Sequence, residues 1–575
     1  MWAMTRLWTE RLPLSLAVVV AVLAVLPYLN GLNGDFTFDD AGVIRDNPMI
    51  QRDSPLRLFV DPYYPGALYR PVTMLTYAAN AGLGGDPFDY HVVNVTLHAL
   101  ASAGVLVLAG VFLSSTAGAF ATAAIFAVHP VHTEAVSSIV GRAELLAALL
   151  VIVALIGAAR EASASGPRRR AWRAVSLVSF ALGLLAKESA FTAVGLVPLV
   201  DWWVRPRERG WRHLRAALPY AVIGIAYLGL RIALIGSLAL PEPPGSLDNP
   251  LAHVALLPRL MTAIVVLWEY VAVLAAPVHL AADYSFNQVP IVLTPLDSRF
   301  LLALAGLLGV ALGIALIAAR RPEVLAAALL FLVPLGLTAN VLFPIGTIKA
   351  ERLLYLPSVG WCLGLGCLAE TAARAKRRIW IPALAALVAV LGARTWLRNF
   401  DWRSNLILFT ATARESPGSA KAHHNAAVAF ERAGRLDEAM AEFRRSLAIY
   451  PQYASAAFGI GHVFSLKGLD APALHWYEEA VRLDWTFAKA HLQIGLLRER
   501  LHEYDAAEAA FRAGLAGDPD DALLLVNLSA IRLTQGDRWG SLCLLSRLDD
   551  LGPVAPDVAD LVAAARREVE EGARG

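Results

Sequence analysis

The sequence predicts an all-α protein in two parts, a polytopic helical membrane domain followed by an α-solenoid. Three observations carry this: apolar runs of spanning length up to about residue 396, a change in composition near residue 400, and a 34-residue period after it. The domains are therefore expected at 1–400 and 401–575. Of the 575 residues 57% are hydrophobic, and the mean hydropathy is +0.53, which excludes a soluble enzyme of this size. The net charge of +2 gives no reason to expect nucleic acid or an acidic macromolecule as partner. Cys362 and Cys367 share one apolar run and Cys543 is far from both, so no disulfide framework is expected.

The first run, 12–30, follows a short basic-flanked stretch, lacks a small-residue cleavage site and reads as a retained signal anchor. Further spans are expected at 92–113, 115–129, 136–159, 171–186, 189–203, 215–236, 301–319, 324–343, 352–372 and 379–396. These eleven spans put four basic clusters on one side: Arg160 with the arginines of 168–173, the five arginines of 205–215, Arg320 with Arg321, and the four cations of 374–378. The positive-inside rule makes that side cytoplasmic, with the N-terminus inside and the repeats outside. The segment 254–280, which holds Pro258, Arg259, Glu269 and Pro277, must then be re-entrant or interfacial.

Beyond residue 400 the period is explicit. Pro417, Pro451, Trp485, Pro519 and Pro553 mark the unit boundaries, and Gly434, Gly468, His502 and Gly536 repeat at the same spacing. Small residues recur at Ala427, Gly461, Gly495 and Ser529, and bulky Phe443, Tyr477 and Phe511 recur later in the unit. This register reads as about four tetratricopeptide repeats, pairs of antiparallel helices that stack to share a core and present a concave groove. Ser404–Ser416 resembles half of a further repeat, and 554–570 a capping helix.

The polar stretches collect at the outer span ends in this topology, and ionisable residues beside spans are costly unless they face a cavity or one another. "FTFDDAGVIRDNP" (36–48) holds Asp39 and Asp40 between aromatics, where apolar surroundings and mutual repulsion raise at least one pKa and suit a general base. Which of the two titrates stays open. A solvated loop is the alternative. Arg142, Lys187, Lys349 and Arg352 are either snorkelling anchors or a clamp for a lipid-borne phosphate, and the clamp is favoured. His129, His132 and Glu134 lack a fourth ligand, so they are expected to line a polar pocket or serve structure alone rather than bind zinc. No metal is assigned.

The ordered set "FDD" (38–40), "YRPVTMLTYAAN" (69–80), "HVVNVTLHAL" (91–100), "AVHPVHTEAVSSIVGRAELLA" (127–147), "LLAKES" (184–189), "DYS" (283–285) and "ERLLYLPSVGWCL" (351–363), ahead of tetratricopeptide repeats, resembles the transmembrane and tetratricopeptide-repeat-containing protein O-mannosyltransferases. The resemblance covers nearly the whole chain. It implies a membrane domain of GT-C type and transfer of mannose from a lipid-phosphate sugar to Ser or Thr of a protein, with inversion. It also implies that the first-loop pair Asp39 and Asp40 is catalytic. Arg70, His91, Glu188, Asp283 and Glu351, which stand in these motifs, are expected to line the pocket beside His129, His132 and Glu134.

The few repeats and the compact Ala/Leu/Arg-rich loops suggest a bacterial version, using polyprenyl-phosphate in an inner membrane with its site on the periplasmic side; a eukaryotic chain would place the site in the ER lumen. The expected partners are the sugar-lipid donor, membrane lipids and a protein acceptor held by the repeats, with no cofactor required. The competing classes are a lipid-linked glycan ligase and a non-enzymatic membrane scaffold.

Overall fold

A computed structural model describes residues 13–50, 55–61, 68–236, 243–375, 378–551 and 556–571. Lys376 and Arg377 of the fourth basic cluster, the basic N-terminal flank and Pro553 lie outside the described residues. Every regular element among those described is a helix. The chain divides into two compact units, Met1–Pro417 and Gly418–Gly575.

The first unit begins with α1 (Leu14–Val25), α2 (Pro71–Gly82), α3 (Pro87–Phe112), α4 (Thr116–Val128) and the short α5 (Thr133–Ser137). It continues with α6 (Arg142–Ser163), α7 (Gly166–Ala186), α8 (Thr192–Val204), α9 (Gly210–Ala216) and α10 (Leu218–Ile235). The remainder is α11 (Leu256–Ala275), α12 (Ser298–Ala318), α13 (Pro322–Thr338), α14 (Ser358–Arg374), α15 (Trp380–Asn399) and α16 (Asn405–Glu415). Local chemistry sets several starts: Asp86 accepts from the Phe88 amide ahead of Pro87, and Ser115 from the Gly118 amide.

Among the described residues, seven stretches are long and apolar enough to cross a membrane: Leu14–Gly31, Pro87–Phe112, Ile139–Ser163, Gly210–Ile235, Leu256–Ala275, Ser298–Ala318 and Trp380–Trp402. The runs expected at 115–129 and 324–343 are shorter apolar helices. Within 254–280, expected to be re-entrant or interfacial, the helix carries no re-entrant break. α11 is an unbroken 20-residue helix, because Pro258 falls in its first turn, where no intrahelical donor is lost, and Pro277 falls beyond its end. The central apolar core is built from α3, α4, α6, α7, α8 and α14, with Phe126, Val151, Ile152 and Phe180 fully buried.

In the second unit, α17 (Ala420–Arg432) with α18 (Leu436–Ile449), α19 (Ala454–Leu466) with α20 (Asp470–Leu483), α21 (Ala488–Arg500) with α22 (Tyr504–Gly517), and α23 (Ala522–Thr534) with α24 (Arg538–Asp550) form four helix pairs. Against the last pair packs α25 (Pro556–Glu571). The punctuation read from the sequence has its reason here. Gly434, Gly468 and Gly536 have φ of 72°, 73° and 84°, and His502, in the same place of the third pair, has φ of 61°. The small positions serve packing: a Cβ on Gly461 would stand 2.7 Å from the Tyr477 ring.

Candidate active site

The polar stretches meet inside the first unit, and the acidic pair is split by its surroundings. Asp40 is fully buried: its Oδ2 accepts from the Thr37 amide at 3.0 Å and its Oδ1 from the Val140 amide at 2.8 Å. The Ser138 hydroxyl approaches that Oδ1 at 3.5 Å. Burial pushes the Asp40 carboxyl up to about 7; the backbone donors work against that, and the charge of Asp39 adds to it. Gly141 closes the turn that presents Val140, since a Cβ there would overlap the Ala135 carbonyl.

Asp39 is exposed. The residue before it, Phe38, has φ of 55°, a left-handed conformation that is strained for a bulky side chain. Asn405 holds the bend by accepting the Phe38 amide at 2.8 Å, and the Phe38 ring meets Phe409 edge-on at 5.9 Å. One carboxylate goes in and its neighbour stays out.

Five cations stand in the same polar network, each bound to a carboxylate. The Arg352 amide donates to Glu134 Oε2 at 2.8 Å, and its guanidinium pairs with Glu134 Oε1; Asp39 and Glu144 also lie within its electrostatic reach. Lys187 pairs with Glu144, and Arg70 and Arg352 lie within reach of its charge. Arg70 and Arg231 converge on Glu188, at 3.0 and 2.8 Å. Burial would raise Glu188, but Arg70, the Glu188 amide and Arg231 outweigh it and hold the carboxyl at about 2. Lys349 bonds to Glu269 at 2.8 Å and lies 4.2 Å from the Tyr284 ring centroid. Glu351 Oε1 accepts from the Ala281 amide at 2.6 Å and from the Tyr284 hydroxyl at 2.7 Å. Burial pushes the Glu351 carboxyl up to about 7, opposed by Arg398 and reinforced by Glu134.

Other expected site residues stand elsewhere. Arg142 does not join the cations: it is fully buried, donating from Nε to Asn94 at 2.8 Å, from Nη1 to Asn80 at 2.7 Å and from Nη2 to the Tyr90 carbonyl at 3.0 Å. With its guanidinium also over the Tyr77 and Tyr90 rings, it ties α2, α3 and α6 together and offers no face to a phosphate. His129 Nε2 faces the Leu274 carbonyl at 3.0 Å and His132 Nε2 the Ser358 hydroxyl at 2.8 Å, so both are interior ties rather than walls of an open pocket. His91 is buried against the backbone at Gly34, and Asp283 accepts from the Ser285 amide and hydroxyl. Among the described residues no group of three or more His, Cys, Asp or Glu gathers as a metal site.

Sequence reasoning missed Glu144, Glu269, Arg231 and Ser138 as members of this network. Arg231 carried a usable signal, a lone cation inside an apolar helix, which must find a counter-charge. Glu144 and Ser138 carried none beyond their place in a polar motif.

Residues 244–311 match the family described as Protein O-mannosyl-transferase TMTC, DUF1736, and residues 420–453 match a tetratricopeptide repeat. Protein O-mannosyl-transferase TMTC1 of Homo sapiens is 30% identical over 499 residues, covering 78% of this chain and 57% of that protein. The two family matches and this relative support the TMTC family for the chain. Two further human TMTC proteins align with it: TMTC3 at 28% identity, over 78% of this chain and 53% of that protein, and TMTC4 at 29%, over 71% and 63%. The chain thus spans about half to three-fifths of the length of these TMTC relatives. The segment matched to the TMTC family contains Glu269, Tyr284 and Ala281, three of the residues that hold Lys349 and Glu351.

Proposed function

We propose that this chain is a membrane protein O-mannosyltransferase that moves mannose from a polyprenyl-phosphate donor to a Ser or Thr hydroxyl of a protein, with inversion. The observation that carries the reading is the exposed Asp39 beside the Arg352 charge, in a relative of proteins named protein O-mannosyl-transferases. In this reading Asp39 takes the proton of the acceptor hydroxyl as its oxygen bonds to the anomeric carbon. The bond from that carbon to the lipid phosphate oxygen breaks, and the phosphate leaves with the electron pair. Lys187, Arg352 and Arg70 receive the charge, and Lys349 supports the rim. Each of these cations holds a carboxylate without donor, so the phosphate competes for donors already placed.

Asp40 acts on Asp39 through position, because both of its oxygens are committed to backbone donors. The site belongs to the extracytoplasmic face, opposite the basic loops, and the repeats bind the acceptor polypeptide. The step as written needs no metal. The test is glycopeptide mass spectrometry of cells with and without the gene, joined to transfer by the purified chain in nanodiscs. Loss of O-linked hexose on specific proteins, restored by the wild-type chain, supports the reading; an unchanged glycoproteome with no transfer in vitro contradicts it.

A further inference from the structure

The two large basic loops are fastened to each other. Arg205, just past the end of α8, donates from Nε to the Ala162 carbonyl near the end of α6 at 3.0 Å, which sets the loop after α8 beside the connection from α6 to α7. All four arginines between 168 and 173 are exposed, and so are Arg207, Arg209, Arg212 and Arg215. Against them the two loops carry only Glu161 and Glu208. So dense a cluster of one sign draws anions to it.

The apolar side chains set among these charges say which anion. α9 exposes Trp211 and Leu214, and Leu218 at the head of α10 is exposed beside them. The Arg215 guanidinium lies 3.8 Å from the Trp211 ring centroid. α9 is anchored, since its buried His213 bonds to Asp201 of α8 at 2.7 Å. A soluble phosphate is served by the arginines alone. An indole and two leucines held at the ends of apolar helices, interleaved with guanidinium groups, match a boundary where phosphate headgroups overlie acyl chains.

We propose that this arginine shelf binds the phosphodiester headgroups of anionic phospholipids in the leaflet where α6 and α8 end, and selects them over zwitterionic lipids. The full chain in nanodiscs of mixed phosphatidylcholine and phosphatidylglycerol is released and its retained lipids are counted by native mass spectrometry. The wild type should retain phosphatidylglycerol well above its bulk fraction. Replacing Arg207, Arg209, Arg212 and Arg215 by Gln should lower that enrichment by about tenfold, while Lys at the same four positions should keep most of it. Glycerol 1-phosphate in excess should leave the retained lipid in place. Equal retention of the two lipids by the wild type, enrichment undiminished in the Gln variant, or displacement by glycerol 1-phosphate would each overturn the proposal, the last by assigning the shelf to a soluble phosphate.

Discussion

Asp40 Oδ1 and the Val140 amide are joined at 2.8 Å across 100 residues of chain, and through this bond the loop carrying Asp39 is locked to the turn that opens α6. The bond explains the adjacent carboxylates. Asp40 spends itself on placement, and Asp39 is left exposed beside the Arg352 charge.

The burial of Asp40 makes stability depend on pH. Its carboxyl sits at about 7 against an ordinary 3.8, so the folded protein keeps the proton to higher pH than the unfolded chain does. That contribution is complete below pH about 4 and is lost as pH rises through about 7; Glu351, also raised to about 7, acts in the same direction. Relative to the Asp40→Asn variant, in which the opposite contribution of the buried histidines is shared and cancels, the melting temperature of the detergent-solubilised wild type should fall between pH 5 and 8. An Asn variant that keeps the full slope would assign the dependence to other groups.

Arg352 and Glu134 should behave as a unit, since Glu134 is only 2% exposed and Arg352 supplies both of its partners. Arg352→Gln removes the counter-charge of a buried carboxylate and leaves it the backbone amide of residue 352, at a cost of about 3 kcal/mol, the lower end of the usual range because that amide remains and Arg352 is partly exposed. Adding Glu134→Gln should restore most of the stability but not the donor affinity. Recovery of donor affinity in the double variant would show that Arg352 does not touch the phosphate.

His502 occupies a left-handed position that its three counterparts fill with glycine. Its φ of 61° costs an L-residue about 1 kcal/mol relative to glycine. His502→Gly should therefore raise the midpoint of repeat unfolding by a few degrees, read by circular dichroism. A lower midpoint would mean that the contact of His502 Nδ1 with the Tyr504 hydroxyl, at 3.1 Å, outweighs the strain.

The repeats were legible because one unit is written four times: the left-handed turn appears as Gly434, Gly468 and Gly536, and the aromatic packing as Phe443, Tyr477 and Phe511. The acidic pair stood out because a polar doublet beside a span is costly, but its division into a buried Asp40 and an exposed Asp39 had no local signal. Arg142 misled, because a cation next to an apolar run looks the same whether it faces a phosphate or, as here, side-chain amides and a backbone carbonyl. The pairings Lys187–Glu144, Arg231–Glu188 and Lys349–Glu269 join positions 43, 43 and 80 residues apart, and no local spacing encodes them. The continuity of α11 was obscured by prolines that lie in its first turn and beyond its end.

The central claim is that Asp39 is the base, and single-turnover mannosyl transfer by Asp39→Asn in nanodiscs, with donor affinity measured separately, tests it most directly. The account predicts a fall in the transfer rate of about 10²–10⁴-fold with donor affinity nearly unchanged, because a carboxamide keeps the shape but cannot take the proton. Transfer at a near wild-type rate in that variant would contradict it.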